Sequence, residues 1–335
     1  MREYRVIKDY KSLLSIKETE DAIKFVRDNF EHMLCKKLNL SRVSAPLFVL
    51  PSTGLNDNLN GFERRVSFKI KGIDEEAEVV QSLAKWKRNA LKEYNFNVGE
   101  GLYTNMNAIR CDEDLDYIHS CYVDQWDWEK VILKENRTKA YLKSTVKKIY
   151  DVIRKLSIKV NEKFPAIKHD LPKDITFITS KDLLEQYPNL TPEEREFEAC
   201  KKYKAVFVME IGGKLKNGLP HDGRAFDYDD WKLNGDILLY NDVLNIAFEV
   251  SSMGIRVDAN SIVKQAKAKG EEANLNNKYA QDIINGVLPF TIGGGIGQSR
   301  LCMYMLKKAH IGEVQSSIWK DEDIKKWKEE NINLL

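Results

Sequence analysis

Cysteine is sparse in this chain. Its five residues, at 35, 111, 121, 200 and 302, show none of the short spacings that zinc or iron–sulfur sites use. The odd count and isolated placement point to reduced thiols rather than a disulfide framework. Histidine is equally rare, and His221, without partner ligands nearby in sequence, does not define a metal site. No apolar run approaches a bilayer span, so no membrane association is expected. The opening Met1-Arg2-Glu3-Tyr4-Arg5-Val6-Ile7-Lys8 has charge but neither an apolar core nor a cleavage signal, so a cytoplasmic location is expected. Net charge is nearly absent: 53 basic against 51 acidic residues, a formal +2, makes nucleic-acid binding unlikely as the main task.

What is present is an ordinary apolar share of 43% in 335 residues, enough for a substantial core. Residues 19–38 carry Ala22, Ile23, Val26, Phe30, Met33 and Leu34 on one stripe, which predicts an amphipathic helix. Strands are expected at 47–50, 66–70 and 78–81, then a helix capped by Ser82, whose Lys85, Lys87 and Arg88 read as mainly solvated cations. Gly99–Arg110 reads as a turn and a strand. In Tyr122–Trp128, alternation sets Gln125 and Asp127 on one face and Trp126 and Trp128 on the other, a floor suited to a small polar ligand. A long helix is expected over 138–163, with Leu142, Val146, Ile149, Ile153 and Leu156 facing the core. Ile175–Ile178 predicts a strand and 182–186 a short helix. Thr191-Pro192-Glu193-Glu194 combines cap, proline and acidic third position, a strong helix start before the apolar strand 205–211.

The polar excursion His221–Trp231 follows, with carboxylates able to attract Mg²⁺ or an ammonium group. Asn234-Gly235-Asp236 reads as a turn. In Ala247–Met253, Phe248 and Val250 are expected inward with Glu249 and Ser251 opposite, and Gly254 as a bulge re-aiming Arg256. Short helices are expected at 260–269 and 273–285, a last strand at 315–319 and a solvated helix at 321–330. Thr291–Arg300 places four glycines within five positions before a helix start at Ser299-Arg300, and lacks the Lys-Ser/Thr pair of a Walker loop. Glycine lets backbone approach a ligand closely, and the guanidinium can neutralise phosphate. With weak parallel βαβ repetition, the order suggests one α+β domain over 1–335, with a short N-terminal lead and a charged C-terminal tail.

Taken together, Gly54–Gly61, Ser82–Arg88, Gly99–Arg110, His119–Glu129, Asp227–Trp231, Leu233–Leu238, Phe248–Asp258 and Thr291–Arg300 resemble ammonia-dependent asparagine synthetase, the aspartate–ammonia ligase family. The resemblance implies a class II aminoacyl-tRNA synthetase-like catalytic core: a mainly antiparallel sheet flanked by helices, assembled as a homodimer through helix 19–38 and the strand after it. It implies L-aspartate, ATP and ammonia as substrates, Mg²⁺ beside the nucleotide, and a β-aspartyl-adenylate intermediate in asparagine biosynthesis. Arg110 and Arg300 match the phosphate-contacting arginines. Asp57, Gln125 and Asp127 are expected at the aspartate α-ammonium, Lys87 and Arg256 at its α-carboxylate, with Ser82, Ser120 and Ser251 completing the network. Arg224, Ser252 and the glycines 293, 294 and 295 are expected around ATP. Asp236 and Glu249 are expected to hold Mg²⁺, and Asp229 to orient or deprotonate incoming ammonium. The alternative is synthetase-like activation of aspartate and transfer to tRNA. About eighteen residues before the first helix are too few for an appended anticodon module, which disfavours that reading.

Overall fold

Ser15 begins the first helix by local chemistry: its Oγ accepts from Glu18 N at 3.3 Å while the Glu18 carboxylate accepts from Ser15 N at 2.8 Å. This reciprocal cap starts α1 at Ile16, three residues before the apolar stripe alone suggested, and it runs to Leu38. The structure is a computed structural model in which residues 10–57, 59 and 63–335 are described. Asn58, Asn60 and Gly61 of the expected turn lie outside the described residues.

The chain continues through β1 (Leu40–Arg42), β2 (Phe48–Val49), β3 (Ser67–Phe68), β4 (Ala77–Val79) and α2 (Ala84–Glu93). Next come β5 (Gly101–Ile109), β6 (Tyr122–Val131), α3 (Lys139–Lys163), β7 (Thr176–Thr179), α4 (Ser180–Gln186) and α5 (Pro192–Tyr203). The last part holds β8 (Ala205–Met209), β9 (Asp229–Asn241), β10 (Ile246–Arg256), α6 (Ala259–Lys269), α7 (Lys278–Ile284), β11 (Thr291–Gly297), α8 (Gln298–Met305) and α9 (Asp321–Glu329). No helix among the described residues is long and apolar enough to cross a membrane.

Eight strands form one sheet in the order β1-β5-β6-β11-β10-β9-β8-β7, and β2-β4-β3 form a small second sheet. The large sheet is mixed, which corrects the mainly antiparallel expectation. Its six inner strands pair antiparallel, but β1 runs parallel to β5 and β7 parallel to β8. Each parallel edge pair is joined through intervening helices, as a parallel connection requires. Asn234-Gly235-Asp236 is not a turn but lies inside β9. The buried Asn234 side chain exchanges hydrogen bonds with the Ile211 backbone at 3.0 and 2.9 Å, and a Cβ on Gly235 would come within 2.9 Å of the Phe207 ring. No strand forms at 315–319; Trp319 instead packs its ring on His310, 4.8 Å between centroids.

The two faces of the sheet differ. On the back, α1, α3 and α8 bury Phe30, Ile149, Ile153 and Leu301 against Trp126, Trp128 and Met253 in one continuous core. On the front there are two smaller apolar clusters, one under α2 with Met106 and Val131, the other under α5 with Val208 and Leu238. Between them the front-facing positions are Gln125, Asp127 and Glu129 on β6, Gly293 and Gly295 on β11, and Ser252 and Arg256 on β10. That polar strip is where a ligand can sit.

Candidate active site

The glycine stretch is a central strand rather than a loop. Thr291–Gly297 pairs with β6 on one side and β10 on the other. The reason for glycine is lateral. A Cβ on Gly293 would meet Glu129 Oε2 at 2.7 Å and Arg256 Nη2 at 2.8 Å, and one on Gly295 would clash with the Gln125 carboxamide. Long polar side chains from both neighbouring strands lie over β11, and only a bare backbone leaves them room. Gly294 faces the other way, toward Met253 and the core.

Lys85, Lys87 and Arg88 are all buried, against the expectation of a solvated face. Helix α2 turns them onto the sheet and the surrounding backbone, where each finds partners. Lys87 Nζ pairs with Asp127 Oδ1 and donates to the Gly294 carbonyl at 3.1 Å. Lys85 pairs with Asp227 at 3.1 Å, and Arg88 donates to the carbonyls of Val257 and Pro289 at 2.8 and 2.9 Å. Leu83 is the residue before α2, and Ser82 stands one position earlier, donating to Asp57 Oδ2 at 2.6 Å while accepting from Ala84 N at 3.3 Å.

In the acidic excursion Asp227, Asp229 and Asp230 are likewise buried, whereas Asp222 is exposed, and each buried carboxylate is matched to a cation. Asp227 pairs with Lys85, Asp229 with Arg256, and Asp230 with Arg137 at 2.9 Å. Burial pushes the Asp227 and Asp229 carboxyls above the ordinary aspartate range, with Lys85 and Arg256 acting in the opposite direction. Arg256, 1% exposed, is gripped on its other side by Glu129, at 3.1 Å from Nε and 2.9 Å from Nη2. Glu129 also accepts from Thr291 Oγ1 at 2.7 Å, tying the three central strands together. Sequence reasoning passed over Glu129. The signal was there, since it continues the same alternation as Gln125 and Asp127.

A second group lies across Gly295. Ser252 stands opposite Gly295 on one side and Asp236 on the other, and Arg224 Nη2 pairs with Asp236 Oδ2. Arg300 donates from Nη1 to the Glu249 carbonyl at 3.2 Å. A register shift between Glu249 and Ser251 resets the alternation. Glu249 pairs with Leu238 on the front, whereas Ser251 stands opposite the core residues Ile237 and Ile296. The expectation that Glu249 and Ser251 share a face therefore fails, and Ser252 takes the front position. The bulge expected near Gly254 is present as a second shift before Arg256. Ser120 is bonded elsewhere, to Ser317 Oγ at 2.8 Å and Tyr122 N at 3.2 Å. Arg110 reaches the Gln81 carbonyl at 3.4 Å, and its Nε has no partner among the described residues.

Two buried polar atoms of the strip lack partners among the described residues, Asp127 Oδ2 and Asp236 Oδ1, and Ser251 Oγ lacks one on the core side of β10. Such orphans are costly unless a ligand completes them. Among the described residues no group of three or more His, Cys, Asp or Glu side chains could hold a metal on protein ligands alone. Asp236 and Glu249 fit Mg²⁺ nevertheless and would be the residues to hold it, because Mg²⁺ is commonly held by one or two carboxylates plus phosphate oxygens and water.

An antiparallel centre with a polar front floor, and with arginines on β5's end and on the helix after β11, defines the catalytic fold of class II aminoacyl-tRNA synthetases. Asparaginyl-tRNA synthetase from Pyrococcus horikoshii, solved with asparaginyl-adenylate, matches with a TM-score of 0.65 at 16% identity, covering 89% of this chain and 68% of that one. The Entamoeba histolytica enzyme with the same adenylate matches at 0.63 and 14% identity, over 90% of this chain and 66% of that one. With that fold, the chain belongs to the aspartate–ammonia ligase family, whose family model matches residues 17–331. It is 58% identical over 327 residues to the aspartate–ammonia ligase of Ruminiclostridium cellulolyticum, covering 97% of each chain. The Clostridium perfringens ligase is 56% identical over 336 residues, the full length of both.

Proposed function

We propose that this chain is a single catalytic domain that amidates L-aspartate with ammonia at the expense of ATP, yielding L-asparagine, AMP and pyrophosphate. The observation that carries the reading is the polar strip with unsatisfied buried oxygens, in a chain alike from end to end to aspartate–ammonia ligases. A carboxylate resists attack because its charge and its poor leaving group oppose it. In the first step a β-carboxylate oxygen of aspartate bonds to the α-phosphorus of ATP and pyrophosphate leaves. In the second, neutral ammonia attacks the acyl carbon, AMP leaves with the bonding pair, and a proton is lost from nitrogen. Both steps need reactants held in line and phosphate charge neutralised.

Asp57, Gln125 and Asp127 hold the aspartate α-ammonium in this reading. The Gln125 carboxamide is free of hydrogen bonds to described residues, and Asp127 keeps one oxygen open. Lys87 and Arg256 supply positive charge for the α-carboxylate, with Ser82 as a further hydroxyl group; Ser120, held by Ser317, and Ser251, on the core side of β10, take no part in this reading. Arg110 and Arg300 neutralise phosphate, Arg224 and Ser252 contact the nucleotide, and Gly293 and Gly295 form the floor, with Gly294 between them turned to the core. Asp229 takes or orients the ammonium proton. Asp236 and Glu249 hold Mg²⁺, which when bound offsets phosphate charge. The working form is a homodimer in the cytoplasm, with α1 and the following strand at the interface.

The direct test incubates the protein with aspartate, ATP and ammonia. Asparagine, AMP and pyrophosphate should form in equal amounts. Aspartyl-tRNA without free asparagine would instead establish the synthetase-like alternative that the fold neighbours leave open.

Metal dependence should carry the signature of Asp236. Burial raises its carboxyl from the ordinary 3.8 to about 7, with Arg224 opposing and Glu249 adding to the rise. In the ligand-free protein the folded chain therefore keeps a proton that the unfolded chain loses across that window, so stability falls as pH rises through it. Mg²⁺ must expel the same proton, so its affinity should be about tenfold weaker near pH 6 than near pH 8 and level off above about 7. Asp236→Asn should flatten that dependence in a Mg²⁺ titration. A pH-independent affinity in the unmodified protein contradicts the assignment.

A further inference from the structure

A cleft of about 1120 Å³ opens between the 212–224 loop, α6 and the N-terminal end of α4. Seven of its lining residues are basic and three acidic, an excess of four positive charges, in a chain whose whole formal charge is +2. The three carboxylates are already engaged from outside the lining, Glu210 by Lys139, and Asp230 and Asp258 by Arg137 at 2.9 and 3.3 Å. So are four of the cations, Lys181 and Lys216 by Glu185, Arg224 by Asp222 and Asp236, and Lys269 by Glu271. Lys214, Lys232 and Lys264 engage no carboxylate among the described residues. Trp231 adds a half-buried aromatic wall, its indole stacked on Gly212, where a Cβ would come within 2.7 Å of the ring. Solvated lysines usually spread over convex surface. Here they converge on a concavity of ligand size beside an aromatic ring, the combination that binds phosphate chains and, where present, a base.

We infer that this cleft is a second anion site for a polyphosphate chain, free or carried on a nucleoside, separate from the adenylate-forming strip. Arg224 connects the two. It lines the cleft while pairing with Asp236, so a phosphate chain that draws Arg224 away leaves the Asp236 carboxylate open. Occupancy then changes the apparent affinity for Mg²⁺–ATP, and reciprocally. This coupling rests on the proposed Mg²⁺ role of Asp236, whereas the binding itself does not.

Calorimetric titration with sodium tripolyphosphate tests the binding, with the catalytic strip first filled by a non-hydrolysable sulfamoyl analogue of β-aspartyl-adenylate. One equivalent should bind, and Lys232→Glu combined with Lys264→Glu should weaken it by about tenfold or more, both positions being exposed and tolerant. A parallel titration with β,γ-methylene ATP identifies the source. Tighter binding than tripolyphosphate, lost in Trp231→Leu, assigns the site to a nucleotide; equal binding assigns it to the free chain. Saturating tripolyphosphate should shift the KM for ATP in the unmodified protein and not in the double variant, whose own kcat should be unchanged. No binding with the strip filled, or binding indifferent to the two charge reversals, overturns the proposal. If asparagine synthesis were absent but tripolyphosphate still bound, only the functional reading would fall.

Discussion

Arg300→Ala is expected to lower kcat/KM for ATP by about 10²–10³-fold, equivalent to ~2.7–4 kcal/mol of transition-state stabilisation. The magnitude follows from how firmly this arginine is placed. It is the third residue of α8, and that helix has no cap of its own, since Gly297 offers no side chain. Asp124 does the capping from the back of β6, accepting from Ser299 N at 3.0 Å and Ser299 Oγ at 2.7 Å. Arg27 of α1 pairs with the same carboxylate at 2.7 Å, so three elements fix the turn from which Arg300 projects. Its guanidinium lies 5.9 Å over the Phe248 ring and, among the described residues, bonds only a backbone carbonyl, leaving other donors for phosphate. A lysine in its place should recover little, because the planar fork and the stacking are both lost. Steady-state kinetics with ATP as the varied substrate decide the matter, with thermal melting as the control for folding. A variant within a factor of about three of the parent activity, well below that expected loss, would sink the assignment.

Arg256→Met is expected to act first on stability, at ~3–5 kcal/mol, the usual cost of removing one partner from a buried ion pair. Glu129 is 0% exposed and Asp229 3% exposed, so neither carboxylate can fall back on water. Urea denaturation should show the loss as a lower midpoint. Pairing the change with Glu129→Gln should restore part of it, since one stranded charge is then removed. Catalysis should fall as well, because the arginine holds Asp229 and Glu129 in the strip. If Arg256→Met left the urea midpoint unchanged, the cluster would not be a buried network at all.

How much of this was legible in advance can be followed residue by residue. The Thr191–Glu194 capping box fixed the start of α5, and the 3.6-residue recurrence of Leu142, Val146, Ile149, Ile153 and Leu156 marked the buried side of α3. Alternation in Tyr122–Trp128 correctly separated Trp126 and Trp128 from Gln125 and Asp127. It failed in β10, where one inserted residue reversed the faces after Glu249. That the β11 glycines form a strand was not legible in advance, because the cause of their smallness lies in Gln125 and Glu129 of β6 and Arg256 of β10, side chains distant in sequence. Lys85, Lys87 and Arg88 were read as solvated because a local pattern shows charge but not the carboxylates and backbone carbonyls that come to meet it.

The chain on its own determined most of the helices and strands, which positions carried apolar side chains and, through its ordered motifs, which family it resembles. Those properties are local or additive along the sequence, set by backbone preference, capping and periodicity. Only the tertiary structure decided that the two edge strands lie parallel, that β11 is a strand stripped of side chains, and that Lys87–Asp127 and Glu129–Arg256–Asp229 close into buried networks. Each of those outcomes depends on groups distant in sequence meeting away from water, where the cost of an unmatched charge selects the partner.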